Sequence, residues 1–122
     1  MFRILVADKL PQSALDRLES MGCETHVDAG LKDESLSDAL RKVQPEVLIV
    51  RSTKVRVEHF EAAGSMSLVV RAGAGVNTID LESASERGVY VSNCPGKNAV
   101  AVAELAWAHI LNCLLYTSDA AD

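Results

Sequence analysis

Two glycines one residue apart, Gly73 and Gly75, follow an apolar run ending in Arg71-Ala72. A turn of that kind lets backbone N–H groups approach an anion closely. The wider pattern, Gly73-Ala74-Gly75-Val76-Asn77-Thr78, nevertheless fails as a dinucleotide fingerprint. The fingerprint needs a third glycine where Thr78 stands, a helix opening at once, and an acid about 20 residues on for the ribose hydroxyls. Here the helix signal begins only at Asp80, and the next apolar run, Val89 to Ser92, leads into Asn93 and Cys94. The turn keeps the capacity to hold an anion, and the identity of that anion has to come from the residues around it.

Those residues are set by the elements that carry them. Arg3 to Ala7 is a short apolar run of the kind found in a strand covered on both faces. Pro11 suits a first helical turn, Ala14, Leu15, Leu18 and Met21 form one apolar stripe, and Gly22 closes that helix. Glu24 to Val27 reads as a weak edge strand, and Asp33 to Val43 as a helix with Leu36, Ala39, Leu40 and Val43 at i, i+3, i+4 and i+7, stopped by Pro45. Val47 to Val50 is the cleanest buried strand. A short helix from Val57 to Ala63 ends at Gly64, Leu68 to Ala72 is a strand, and Asp80 caps a helix ending at Gly88 before the fifth strand, Val89 to Ser92. Such β–α alternation predicts an α/β fold: a doubly wound, flavodoxin-like parallel sheet of about five strands in the order 2-1-3-4-5.

In an open parallel sheet, ligands bind beyond the carboxyl ends of the strands. The residues delivered there are Asp8 and Lys9, then Arg51, Ser52, Thr53 and Lys54, then Gly73 to Gly75, then Asn93 and Cys94. Cations, hydroxyls and a backbone nest suit a small carboxylate or phosphate. Arg51 and Lys54 also fit solvated loop charges, and the glycines also fit plain turn punctuation. Asp8 imitates the phosphoacceptor of a receiver domain, but the acidic pair of such a site is incomplete. Cys94 precedes Pro95 with no helix N-terminus directly after it, so no activated thiol is indicated. His26, His59 and His109 are expected in an edge strand, an exposed short helix and a buried helix, away from the binding edge. No general acid–base pair can be named from these residues.

Composition narrows the classes. The chain has 122 residues, 48% of them hydrophobic and 24% charged, with a net charge of −5, which argues against nucleic-acid binding. Cys23, Cys94 and Cys113 share no CxxC spacing, so no metal site is indicated, and reduced thiols in a cytoplasm are expected. Ala99 to Tyr116 is apolar except for Glu104, His109 and Asn112. The mid-segment Glu argues for a helix buried on most sides rather than a membrane span.

Three blocks occur in order and spacing: Ile49-Val50-Arg51-Ser52-Thr53-Lys54-Val55, then Arg71-Ala72-Gly73-Ala74-Gly75-Val76-Asn77-Thr78-Ile79-Asp80, then Asn93-Cys94-Pro95 with Asn98 and Ala101-Val102-Ala103-Glu104. Together they resemble the N-terminal part of the D-isomer-specific 2-hydroxyacid dehydrogenases, over about residues 1 to 114. The resemblance implies a substrate-binding domain over 1–96, the first helix of a truncated Rossmann-type cofactor domain over 97–114, and a non-native tail over 115–122. It implies that Arg51 and Ser52 meet the anionic groups of a small 2-hydroxy acid, with Lys54 a weaker candidate, and that the N–H groups of Ala74 and Gly75 hold its carboxylate. Ala74 and Val102 would lie near the nicotinamide of NAD, and Asn98 would shape the crossing between domains. The Arg-Ser-x-Lys-Val and Arg-Ala-Gly-x-Gly-Val-Asn blocks favour 3-phosphoglycerate as the acid. The family's catalytic Arg, Glu and His fall beyond the last residue, so this chain by itself is expected to be inactive and its parent a homo-oligomer. Without its partner domain the last helix is expected to expose an apolar face of Val100, Val102, Ala103, Ala106, Trp107, Ile110, Leu111 and Leu114 and to drive association. The competing expectation is a non-enzymatic module that binds small anions.

Overall fold

The apolar runs Ile4 to Val6, Val47 to Val50 and Leu68 to Val70 become central strands because helices cover the sheet on both sides. The computed structural model describes residues 2–72, 78–93, 104–109 and 111. In chain order the elements are β1 (Arg3–Val6), α1 (Gln12–Ser20), β2 (Glu24–Val27), α2 (Asp33–Val43), β3 (Val47–Val50), α3 (Val57–Ala62), β4 (Leu68–Arg71), α4 (Leu81–Glu86) and β5 (Tyr90–Asn93). All pairings are parallel and the sheet order is β2-β1-β3-β4-β5. This is the architecture the β–α alternation predicts.

Alternation along the central strands divides the core in two. Leu5, Leu48, Val50 and Val69 point to the side covered by α2, α3 and α4, where they meet Leu36, Leu40, Phe60 and Ala84. Ile4, Val6, Val47, Ile49, Leu68 and Val70 point to the other side, where Leu18 of α1 and Ala106 cover them. Every residue of β3 is buried, which is why it carries no polar residue, whereas the edge strands β2 and β5 expose their ends.

Boundaries shift by a residue for local reasons. Pro11 is the N-cap of α1 rather than a residue of its first turn, and Gly22 follows the C-cap Met21 at φ 88, a left-handed conformation that favours glycine. β5 runs one residue later than expected because its ladder with β4 extends to the Arg71–Asn93 pair. Asp80 caps α4, its Oδ1 accepting from the Ser83 N–H at 3.2 Å.

Residues 104–109 are helical and lie on the α1 side of the sheet. Ala106 is fully buried there, Leu105 and Trp107 are partly buried, and Arg17 of α1 pairs with Glu104 at 3.7 Å. The expectation of an exposed apolar face is corrected at Ala106 and Trp107, which complete the second half of the core, and holds at Leu111, which is exposed; the other residues of that face lie outside the described residues. No helix among the described residues is long and apolar enough to cross a membrane.

Candidate functional site

Strands β1 and β3 are hydrogen-bonded neighbours, with Val6 level with Ile49. The residues that follow them therefore meet beyond the carboxyl edge of the sheet. There Asp8 Oδ2 accepts from the backbone N–H groups of Arg51 at 2.6 Å, Ser52 at 3.1 Å and Thr53 at 3.2 Å, and from the Thr53 hydroxyl at 2.7 Å. Burial pushes the Asp8 carboxyl up, but the bonds from Arg51, Thr53 and Ser52 outweigh it and hold the group below the usual aspartate value of 3.8. The β3 loop thus has its own internal anion. Its N–H groups are engaged, and what it offers outward are the exposed side chains of Arg51, Ser52 and Lys54.

The pH dependence follows from the sign of that shift. A carboxyl with a lowered folded value stabilises the fold above its unfolded value, and the contribution disappears as pH falls through the folded one. The stability gap between the unchanged chain and Asp8→Asn should therefore be constant near neutrality and close below about pH 4. Denaturant midpoints of both chains across that range measure it; a gap that persists in acid would refute the assignment.

Two adjoining hollows flank Asp8. One, of about 350 Å³, lies between the β3 loop at Ser52, Thr53 and Lys54 and the segment from Gly30 to Asp33, with Arg56 at its margin. The other, of about 460 Å³, is lined by Asp8, Lys9, Ala29, Gly30, Arg51 and Ser52. Lys9, Lys32, Arg51, Lys54 and Arg56 thus gather at one edge of a chain whose net charge is −5. Local charge of that sign favours small anions whatever the overall balance. Lys32 and Arg56 are missing from the sequence-based candidates. Applying the strand-end rule to β2 as well as to its neighbours leads to Gly30 and Lys32.

Of the candidate site residues, Arg51, Ser52 and Lys54 lie together on the β3 loop, all three exposed. Ala74, Gly75 and Val102, together with Asn98, lie outside the described residues. The ends of the glycine turn are nonetheless pinned beside the Arg51 loop. Ala72 N–H donates to Val50 C=O at 2.8 Å, Val55 N–H to Thr78 C=O at 2.9 Å, and Asp80 N–H to Val55 C=O at 2.8 Å. The chain before and after the turn is held by the chain before and after Arg51 to Lys54.

The histidines serve structure. His59 is fully buried rather than exposed, its Nδ1 accepting from the Arg56 N–H at 2.9 Å and its Nε2 donating to Asp33 C=O at 3.0 Å. His26 pairs with Glu24 on the edge strand at 3.1 Å. His109 stands 3.3 Å from Ser67 Oγ and edge-on to Tyr90, with burial pushing its imidazole down. The pair has the composition of a nucleophile and base, but Ser67 Oγ donates to Glu46 C=O at 3.2 Å, so its proton is directed away from His109. Ser67 also precedes β4, at the opposite edge of the sheet from Asp8. Among the described residues no three His, Cys, Asp or Glu side chains group to hold a metal.

The D-isomer specific 2-hydroxyacid dehydrogenase catalytic domain matches residues 4–121. The chain belongs to this family. Among relatives of the 2-hydroxyacid dehydrogenase chain, D-3-phosphoglycerate dehydrogenase of Archaeoglobus fulgidus is 38% identical over 110 residues, 89% of this chain and 20% of that protein. A chloroplastic D-3-phosphoglycerate dehydrogenase of Arabidopsis thaliana is 45% identical over 84% of this chain and 16% of its own length. A hydroxypyruvate reductase of Thermotoga maritima is 43% identical over 68% of this chain and 28% of its own. The chain therefore spans about a fifth of the length of the phosphoglycerate dehydrogenases it matches. Among solved structures, the NAD+-bound 3-phosphoglycerate dehydrogenase of Entamoeba histolytica superposes with a TM-score of 0.66 at 26% identity, over 75% of this chain and 32% of that one. A Thermus thermophilus protein superposes with a TM-score of 0.69 at 30% identity, over 96% of this chain and 40% of that one.

Proposed function

We propose that this chain forms the substrate-binding part of an NAD-dependent oxidoreductase that converts 3-phosphoglycerate to 3-phosphohydroxypyruvate. The observation that carries the reading is the β3 loop: its backbone donors are engaged by Asp8 while Arg51, Ser52 and Lys54 face outward at a cationic edge. Such a surface receives anionic groups through side chains, and Arg51 brings the planar fork that matches carboxylate or phosphate in two bonds. In this reading Arg51 and Ser52 hold one anionic group of the substrate, Lys54 adds charge, and the N–H groups of Ala74 and Gly75 hold the other. The family membership and the names of its phosphoglycerate dehydrogenase relatives support the reading.

The described residues do not fit NAD. The turn after β1 runs Asp8-Lys9-Leu10-Pro11, without glycine and with a carboxylate where a pyrophosphate needs N–H donors. NAD belongs to the remainder of the parent enzyme in this proposal, with Ala74 and Val102 facing its nicotinamide. The 122-residue chain mixed with NAD and 3-phosphoglycerate should accordingly form no NADH. Turnover above blank would overturn that division of labour.

Binding gives the sharper test. Titration followed by amide chemical shifts should move Arg51, Ser52 and Lys54, with 3-phosphoglycerate preferred over D-glycerate and inorganic phosphate. Arg51→Ala should weaken binding about tenfold or more, and Arg51→Lys should recover only part of it because the ammonium lacks the fork. Equal affinity for all three ligands would favour the non-enzymatic anion-binding module instead.

A further inference from the structure

We propose that Asp8 is a positioning residue of the substrate site, its carboxylate holding the Arg51–Thr53 turn in the conformation that presents Arg51 and Ser52 to the substrate. The inference rests on the functional reading above and gives a role in presenting the substrate ligands to a residue that does not itself face the substrate in that reading.

Three consecutive backbone N–H groups and a hydroxyl converge on one oxygen, Asp8 Oδ2, at 2.6 to 3.2 Å. Successive N–H groups pointing inward form a concavity that accepts an anion. Here the anion is covalently attached, delivered by the strand next door. Two consequences follow. The turn is fixed through its backbone, so that the Arg51 and Ser52 side chains leave it on the outer side. The nest is also closed to the substrate, which must bind through side chains.

Thr53 shows why the arrangement is specific. It is the buried member of the turn, and it contributes both an N–H and a hydroxyl to Asp8. Its exposed neighbours Arg51 and Ser52 contribute their N–H groups alone. Backbone and inward side chain therefore converge on Asp8, and the outward side chains remain available. An ionised carboxylate is acceptor-only, whereas an asparagine in its place keeps one acceptor oxygen but loses the charge and adds donors.

The test uses the 122-residue chain and 3-phosphoglycerate. Asp8→Ala should bind the ligand about tenfold or more weakly, because each lost bond to a charged group is substantial. The emptied nest should then accept formate: formate at tens of millimolar should return part of the 3-phosphoglycerate affinity to Asp8→Ala and should not raise the affinity of the unchanged chain. Its binding should also return the Arg51, Ser52 and Thr53 amide resonances toward their original positions. Equal or tighter binding by Asp8→Ala overturns the proposal. So does formate that restores the melting temperature without restoring affinity, which is what a purely structural carboxylate would do. If Asp8→Ala does not fold, Asp8→Asn carries the affinity comparison, and undiminished binding by it overturns the proposal. No binding of 3-phosphoglycerate by the unchanged chain overturns the functional reading itself. Binding that Arg51→Ala abolishes and Asp8→Ala leaves intact overturns the positioning role alone.

Discussion

Ala106→Asp should destabilise the chain by about 3 kcal/mol or more, whereas Ala108→Asp, two positions along the same helical segment, should shift stability by no more than about 0.5 kcal/mol. The contrast comes from where the two side chains stand. Ala106 is fully buried in the cluster of Ile4, Val6, Leu18, Val47, Ile49, Leu68 and Val70, while Ala108 is exposed. A carboxylate at position 106 would be desolvated against apolar side chains or would have to lift the helix from the sheet. Either outcome is expensive. Denaturant midpoints of the two variants measure the difference.

The reason the effect is large lies in the asymmetry of the two sheet faces. One face is covered by α2, α3 and α4, and the other by α1 together with residues 104–109. Lifting the latter would uncover Leu68 and Val70, which lie toward the side of the sheet away from β2. A fluorescent dye that reports exposed apolar surface should therefore respond to Ala106→Asp and not to Ala108→Asp. Equal midpoints for the two variants would mean that the helix does not pack on the sheet in solution, and the exposed apolar face expected from the sequence would stand again.

What the sequence revealed follows from which interactions are local. Val47 to Val50 is legible as a strand because a strand covered on both faces has no polar side to display. The stripe Leu36, Ala39, Leu40, Val43 marks α2, and Pro45, just past the C-cap Gln44, sets its end. The position of Arg51, Ser52 and Lys54 is legible by the strand-end rule, because parallel topology alone places the residues after Val50 at the carboxyl edge. The partner of Asp8 is a different matter. It lies 43 to 45 residues away, and only the pairing of β1 with β3 brings the two loops together. The order 2-1-3-4-5 contains that neighbourhood, so the contact was implicit in the topology, but the direction of three N–H groups in a loop has no periodicity to read. Trp107 and Ala106 were misplaced for the converse reason: an amphipathic pattern shows that a face is apolar, not which surface covers it.

His59→Leu should cost about 2–4 kcal/mol, the loss expected when a buried polar side chain bonded at both ring nitrogens is replaced by an apolar one. His59 is fully buried and spans two elements. Its Nδ1 accepts from the Arg56 N–H, one of the donors that the first turn of a helix leaves without an intrahelical partner. Because Nδ1 accepts, the ring proton is on Nε2, which donates to the carbonyl of Asp33 at 3.0 Å. Asp33 opens α2 at φ 51, a left-handed conformation that is unfavourable for most side chains and tolerable for aspartate. One imidazole thus holds the start of α3 to the strained start of α2. Leucine fills comparable space but leaves both backbone groups without that partner. His59→Asn restores one acceptor near Nδ1 and should recover part of the loss. The consequence reaches the site, since Arg56 and Lys32-Asp33 form one wall of the hollow beside Asp8. His59→Leu should therefore broaden or shift the amide resonances of Lys32, Asp33 and Arg56 while leaving Ile4 and Val6, on the opposite face, in place. A midpoint within about 0.5 kcal/mol of the unchanged chain would show that water replaces the imidazole at both ends, and that the clamp contributes nothing.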